Sequence, residues 1–371
     1  MLGRPGHFAT RPHASSISVP LFVTIGESNA GGEALNSDPT AYELAARTSM
    51  QILNNTTLLF EQLDVGTNNL IGHDGETANA THGIEIGLAN TVDAGRWGSN
   101  PCYLVKSGQG GSRIADWSVG NANNYWARFL TRTTAALSIM RAAGKTPVPY
   151  VFLTIGINDA QNGTPTNTAT WKTGVLDLIS RIRTQLGSST LIVMTKFIVP
   201  PHKTNTDIYN TKMDEIAAGD SLVKLIDSSG TTLKADQYHW DYPGWLQIAE
   251  RFVDTINGAS GTLATPTFGL AAGSYVGAQT VSISGPSGAA IRYTIDGSIP
   301  TSHSTLYTGP LNIATTTSLR VIAIKQGWKN SAELTGTFTI NTGNWVAWTP
   351  GGGARSEEHT SELQSRQYLV C

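Results

Sequence analysis

The sequence predicts a doubly wound α/β domain followed by a smaller all-β module. Three observations predict it. Between residues 19 and 227 five apolar, β-branched-rich runs recur without polar alternation; stretches with helical spacing separate them and close on glycine; and beyond residue 259 the pattern changes to short alternating runs broken by Gly and Pro. Strands apolar at consecutive positions are those buried on both faces, as in parallel sheets. Strand–helix–strand succession then calls for right-handed crossovers.

Residues 1–18 carry basic residues but no continuous apolar core, so they read as an N-terminal extension without a recognisable secretory signal. The first strand is "VPLFVTIG" (19–26). The long segment 27–100 is rich in Asn, Thr and Gly; "PTAYELAARTSMQIL" and "HGIEIGLANTV" are expected to supply helix there, with the remainder covering the site. "PCYLVKSG" (101–108) is the second strand and "YWARFLTRTTAALSIMRAAG" (125–144) a helix ending on the Gly expected past a C-terminus. "VPYVFLTIG" (148–156), a helix over 168–187, "TLIVMTKF" (190–197) and "LVKLID" (222–227) follow. "PGWLQIAERFVDTIN" (243–257) opens on Pro and places Trp245, Ile248, Ala249, Phe252 and Ile256 on one face. The α/β domain is therefore bounded at 19–258, a linker at 259–266, and the module, an immunoglobulin-like sandwich, at 267–341.

Charged residues make up only 14% and the net charge is -2. Neither a nucleic-acid footprint nor a polybasic membrane patch is present, and no apolar stretch approaches the roughly 18 residues of a membrane span. Cys102, on a buried strand, reads as a small hydrophobe. Cys371 lies in "RSEEHTSELQSRQYLVC" (355–371), which is similar to the translation of a sequencing-library adapter; that likeness makes 342–354 a truncated linker and Cys102 the authentic cysteine. No cofactor motif is found. His73, Asp74 and His82 in "HDGETANATHG" lack a metal-ligand spacing and read as polar loop residues, so no metal is expected. Glu85, inside a helical pattern, reads as a buried structural acid.

Ligands collect at the carboxyl ends of the strands of an open parallel sheet. There the chain places "GESNAGG" with Ser28, "SGQGGSRIADW", "GINDAQNG" with Asn158, and "ADQYHWDYPG". An ester hydrolase needs a nucleophile, a base oriented by a third group, and donors for an oxyanion. Asp236 precedes His239 by three residues, a spacing at which the carboxylate reaches Nδ1 of the imidazole and leaves Nε2 for a serine. The alternative is plainer: Ser28 ends a strand, Asp236 caps a turn and His239 is a surface residue. His202 in "VPPHKTN" is the rival base and a candidate for the pocket rim, without a nearby carboxylate; Trp117 is a candidate either to stack on a sugar or to anchor the core.

These four blocks, in this order, resemble the SGNH (GDSL-like) hydrolase superfamily over residues 19 to 257, and "GESNAGG" with "GQGGSRIADW" most resembles its sialate O-acetylesterase-like branch. The resemblance implies a flavodoxin-like three-layer α/β/α domain. It implies Ser28 as nucleophile, His239 as base and Asp236 as its orienter, with the second-block glycine at Gly110 or Gly111 and an oxyanion hole from the Ser28 and Gly110 N–H groups with the Asn158 amide; Gly111 is also a candidate for substrate binding. Two features depart from the family: Glu27 stands where it usually has Asp or Gln, and the third block is the lipase-like "GINDA" rather than "QGES". The all-β module resembles the chitobiase and hexosaminidase C-terminal domain in "YTIDGSIPT", "LYTGPL" and "LRVIAIKQGW". Such modules accompany extracellular polysaccharide-active enzymes, which implies an extracellular or cell-surface setting. The expectation is a cofactor-free esterase removing acetyl groups from acylated carbohydrate. A general carboxylesterase or lipase, and a non-catalytic glycan-binding or phage-tail-type module, stay open as alternatives.

Overall fold

β1 (Ile17–Gly26) runs through the middle of the first sheet, and from Leu21 to Ile25 none of its residues is more than 1% exposed. The structure is a computed structural model that describes residues 17–69, 80–94, 96–97, 101–162, 167–258, 261–302, 304–325 and 328–341. His73, Asp74, most of the N-terminal extension, and residues 342–371 with the adapter-like tail lie outside the described residues. After β1 come α1 (Ser28–Gly31), β2 (Ala34–Leu35), α2 (Ala41–Leu44), β3 (Arg47–Leu53), β4 (Phe60–Leu63), β5 (Thr81–His82) and α3 (Ile84–Asp93). The domain continues with β6 (Cys102–Gly108), α4 (Tyr125–Ala142), β7 (Lys145–Thr154), α5 (Ile157–Asn162), α6 (Thr168–Leu186), β8 (Leu191–Thr195), α7 (Lys203–Gly219), β9 (Val223–Ile226) and α8 (Tyr242–Ile256).

The main sheet has the order β4-β3-β6-β1-β7-β8-β9, with every pair parallel except β3–β4. Alternate residues of β1 feed two cores. Leu21, Val23 and Ile25 pack with Phe129 and Leu137 of α4, Leu178 and Ile182 of α6, and Met213 of α7, whereas Phe22 packs with Ile86 and Leu88 of α3 and Trp245 and Phe252 of α8. This two-sided burial is the cause of the unbroken apolar runs. On α8, Trp245, Ile248, Ala249 and Phe252 are all 0% exposed, as their spacing predicts. A helix of this length is marginal alone in water, so this stripe, not propensity, holds it. Among the described residues no helix is long and apolar enough to cross a membrane.

The expectation of helix over "PTAYELAARTSMQIL" is corrected. Thr40 and Glu43 form a capping box, but α2 stops at Leu44 and Ala45 turns extended. The remainder becomes β3, because Met50, Gln51 and Ile52 pair in parallel with Cys102, Tyr103 and Leu104 of β6. Pairing at an open sheet edge, with Met50 and Ile52 entering one core and Leu53 the other, outweighs helix propensity. The helix expected from "HGIEIGLANTV" forms as α3.

The C-terminal region is a β-sheet domain. β10 (Thr267–Phe268), β11 (Gly273–Val276), β12 (Gln279–Val281), β13 (Ile283–Ser284), β14 (Ala290–Thr294), β15 (Thr305–Leu306), β16 (Leu311–Ile313), β17 (Thr317–Ile324) and β18 (Leu334–Asn341) form a five-stranded sheet, β11-β18-β17-β14-β15, and the pairs β10-β13 and β12-β16. Val281, Leu319, Val321, Ala323 and Phe338, all 0% exposed, centre its own core. The domain meets α8 through Glu250, whose carboxylate accepts from Ser302 N (3.3 Å) and Asn330 Nδ2 (3.2 Å).

Candidate active site

Ser28 owes its place to the tight end of β1. Gly26 has φ 136, and a Cβ there would lie 1.8 Å from the Thr154 carbonyl oxygen, so only glycine lets the chain pass the end of β7. Glu27 N then donates to Thr154 O (2.8 Å), and Ser28 opens the short helix α1 at the carboxyl end of the sheet. The last residue of β6, Gly108, lies against the backbone of α1, where a Cβ would meet Gly31 N at 2.1 Å. The small residues around Ser28 are thus a packing requirement of the turn that presents it.

The second element is the turn before α8. Asp236 Oδ1 accepts from Tyr238 N (2.8 Å) and His239 N (3.1 Å), and Gln237 between them takes φ 62. This leaves Asp236 Oδ2 2.9 Å from His239 Nδ1, while His239 Nε2 lies 2.8 Å from Ser28 Oγ. The turn is held by Lys234 N donating to His239 O (2.8 Å) and by Trp240, 3% exposed, packed on Trp245. Burial works against ionisation of Asp236, but hydrogen bonds from the His239 ring and from the Tyr238 and His239 backbone outweigh it and hold the carboxyl below the usual value. Carboxylate, imidazole and hydroxyl therefore stand in one chain, 211 residues apart in sequence at its last link.

Ser28 and His239 open into a pocket of about 410 Å³ shared with Glu33, Gly110, Gly111, Ile157, Asn158, Gln161 and Tyr238. Gln109 N donates to Gly26 O (2.9 Å), which ties the second block to the end of β1 and sets both glycines at the pocket. Asn158 enters from the first turn of α5, and its Nδ2 donates to Glu27 Oε2 (3.1 Å) and to Ser112 O (3.2 Å). Asp159 joins the third block to the second by accepting from Ile114 N (3.1 Å), and burial pushes its carboxyl up to about 6.

Two expected pocket residues are elsewhere. Trp117 is 1% exposed and outside the pocket lining; its Nε1 donates to Ser112 Oγ (3.1 Å), so it anchors the second block instead of facing a sugar. His202 is not among the pocket-lining residues and is not the partner of Ser28: its Nε2 lies 3.0 Å from the hydroxyl of the pocket residue Tyr238. His82, read as a polar loop residue, is instead 0% exposed, with Nδ1 3.2 Å from Asn36 Oδ1, and burial drives it down to about 4. Glu85 is fully buried and paired with Lys106 at 2.9 Å, a structural acid as its pattern suggests. Sequence reasoning missed Tyr238, Gln161, Ile157 and Glu33 as pocket residues; the position of Tyr238 between Asp236 and His239 is the signal that could have found it.

Comparison with known proteins accords with this geometry. Residues 18–257 match the family described as carbohydrate esterase, sialic acid-specific acetylesterase, and residues 270–336 match the chitobiase/beta-hexosaminidase C-terminal domain. A comparison with curated proteins found no match. Among solved structures, a protein from Arabidopsis thaliana superposes with TM-score 0.52 at 19% identity, over 62% of this chain and 94% of that one, and so shares the α/β fold. A carbohydrate acetylesterase from Xanthomonas citri aligns over 86% of this chain and 78% of its own at 10% identity and TM-score 0.46.

Proposed function

We propose, because this chain belongs to the carbohydrate esterase, sialic acid-specific acetylesterase family, that Ser28, His239 and Asp236 are the groups with which it removes acetyl esters from carbohydrate. Membership makes the chain a carboxylic ester hydrolase acting on acylated carbohydrate; the proposal concerns which atoms act and on what acyl group. The observation that carries it is the 2.8 Å and 2.9 Å relay from Ser28 Oγ through His239 to Asp236, opening into a pocket.

His239 Nε2 takes the Ser28 proton as Oγ attacks the ester carbonyl, and returns it to the departing sugar hydroxyl as the C–O bond breaks. Water, deprotonated by the same nitrogen, then cleaves the acetyl-serine ester, releases acetate and restores the hydroxyl. Asp236 holds the tautomer with the proton on Nδ1 and stabilises the imidazolium. The oxyanion is received by the N–H groups of Ser28 and Gly110 and by the Asn158 amide, which gives up its bond to Ser112 O for a stronger one to negative charge. Tyr238, Gln161, Glu33 and Gly111 line the space left for acyl group and sugar. Among the described residues, none of the C-terminal domain lines this pocket. We further propose action outside the cell or at its surface, the setting that the resemblance of the C-terminal module implies.

The test is covalent. Incubation with diethyl p-nitrophenyl phosphate is expected to abolish hydrolysis of p-nitrophenyl acetate and to leave one diethylphosphoryl group on the peptide containing Ser28. Inactivation with the label on another residue would overturn the assignment.

A further inference from the structure

Glu27, next to the nucleophile, is 0% exposed, and among the described residues no cation is paired with it. Its Oε1 accepts from Ile157 N (3.3 Å), and its Oε2 from both Asn158 N (3.3 Å) and Asn158 Nδ2 (3.1 Å). All three donors belong to the two residues that open α5. A buried carboxyl without a cation is tolerated only where its hydrogen bonds compensate, and here two of these three come from Asn158 and the third from its neighbour Ile157. The backbone N–H of Glu27 is meanwhile fixed to Thr154 O at the end of β7. The side chain is therefore a short rigid link between the residue bearing the nucleophile and the amide that faces it across the pocket.

We propose that Glu27 is a positioning residue for ester hydrolysis, one that sets the Asn158 amide at the place where the oxyanion develops. This rests on the reading of Asn158 as an oxyanion donor. One amide proton stays on Glu27, and that bond fixes the rotamer from which the other proton addresses the substrate.

The charge state of the link matters because it stands directly behind a group that must stabilise an anion. The groups that face Glu27 are Asp159 and the Ile157 and Asn158 N–H donors of α5, the Gly156 N–H ahead of it, and Ser28 with His239 beyond. Burial pushes the carboxyl up, the Asn158 N–H pulls it down, and the charge of Asp159 adds to the rise; the balance stands at about 8. Below that pH the link is neutral. Above it a negative charge forms one amide's width from the oxyanion and opposes it, so turnover falls while the ground-state ester, which carries no charge, binds as before.

The experiment measures kcat and KM for p-nitrophenyl acetate across the neutral and mildly alkaline range, with spontaneous hydrolysis subtracted, for the wild type, Glu27→Leu, Glu27→Gln, Asn158→Ala and Ser28→Ala. Glu27→Leu is expected to lower kcat about 100-fold with KM within about twofold. Glu27→Gln, which keeps an acceptor oxygen at the same reach, is expected to recover kcat to within about fivefold of the wild type. It is also expected to lack the decline centred near pH 8. A Glu27→Leu enzyme with native near-ultraviolet circular dichroism and more than about a tenth of wild-type kcat would overturn the proposal. If the leucine variant does not fold, Glu27→Gln decides the matter at fixed neutral pH together with Glu27→Ala: the same kcat in both would overturn the proposal, and the pH profile then tests only the charge of the link. Loss of kcat in Asn158→Ala and Ser28→Ala with no response at Glu27 rejects the positioning role alone. Full activity in either control rejects the catalytic reading and this proposal with it.

Discussion

Replacing Asp236 with asparagine tests the relay at the point where its contribution can be worked from geometry. Asp236 Oδ2 is 2.9 Å from His239 Nδ1, which puts the charge centres of carboxylate and imidazolium about 4 Å apart, and two unit charges at that distance attract by about 4 kcal/mol in a surface-like dielectric. The two side chains are 37% and 23% exposed, so solvent screening reduces this to about 2–3 kcal/mol, or about 30- to 150-fold in rate. The substitution has a second effect of larger size. The introduced amide can turn its N–H toward Nδ1, which favours the tautomer with the proton on Nε2, and that nitrogen can no longer accept from Ser28. Loss of the tautomer raises the expected fall in kcat to between about 10²- and 10⁴-fold. Asn can still accept the Tyr238 and His239 N–H bonds through its carbonyl, so the turn keeps its shape. The assay is kcat for p-nitrophenyl acetate near neutral pH, with thermal unfolding as a control. A folded variant that loses less than about tenfold would refute the argument that Asp236 orients and charges the base.

Ser28→Ala is expected to lower kcat/KM to below about a thousandth of wild type without a change in melting temperature; more activity than that means another nucleophile acts. The pocket walls near Ser28 are two glycines, polar side chains and a single aliphatic residue, Ile157, so rates on p-nitrophenyl esters are expected to fall about tenfold or more from acetyl to butyryl. Equal rates across chain lengths would favour a general esterase. His82, neutral and buried, titrates at about 4 when folded against an ordinary value of 6.5, so between those pH values the unfolded chain binds the extra proton. Its contribution is complete above pH 6.5 and is lost as pH falls toward 4, by about 3 kcal/mol in all. Urea titrations should therefore show a flatter dependence of stability on pH in His82→Gln across that window; the same slope in both proteins would show that His82 is not the group responsible.

The parts of this molecule legible in its sequence are those whose physics is local. Parallel strands covered on both faces are apolar at most consecutive positions, so β1, β6, β8 and the buried second half of β7 announce themselves, and β9 at the edge is read from a shorter run. Asp236 and His239 share one turn, and their three-residue spacing suffices to bring carboxylate to imidazole. β3 is illegible for the opposite reason. Its pattern of Arg47, Ser49, Met50, Ile52 and Leu53 suits a helix face as well as a strand, and only the free edge of β6, which meets it at Met50–Cys102 after a long intervening segment, selects the strand. Nothing between residues 39 and 53 carries that information.

Trp117 and His202 show where residue type misleads. Indole and imidazole are the groups that touch sugars and protons, which makes Trp117 and His202 attractive as pocket residues, yet the structure uses both one layer further out. A pocket that must let an ester approach backbone N–H groups closely needs glycine where those groups lie, as at Gly110 and Gly111. Such walls have little packing of their own and need rigid neighbours to hold them. Trp117 supplies that rigidity to the second block through Ser112, His202 to Tyr238 through its hydroxyl, and Glu27 to Asn158 by accepting both its backbone and its amide N–H. Spacing in the sequence can nominate the atoms that meet the substrate, because the chemistry demands their types. The supports are demanded only by the shape of the gap behind those atoms, and that shape exists only after β1, β6 and β7 have brought the blocks together.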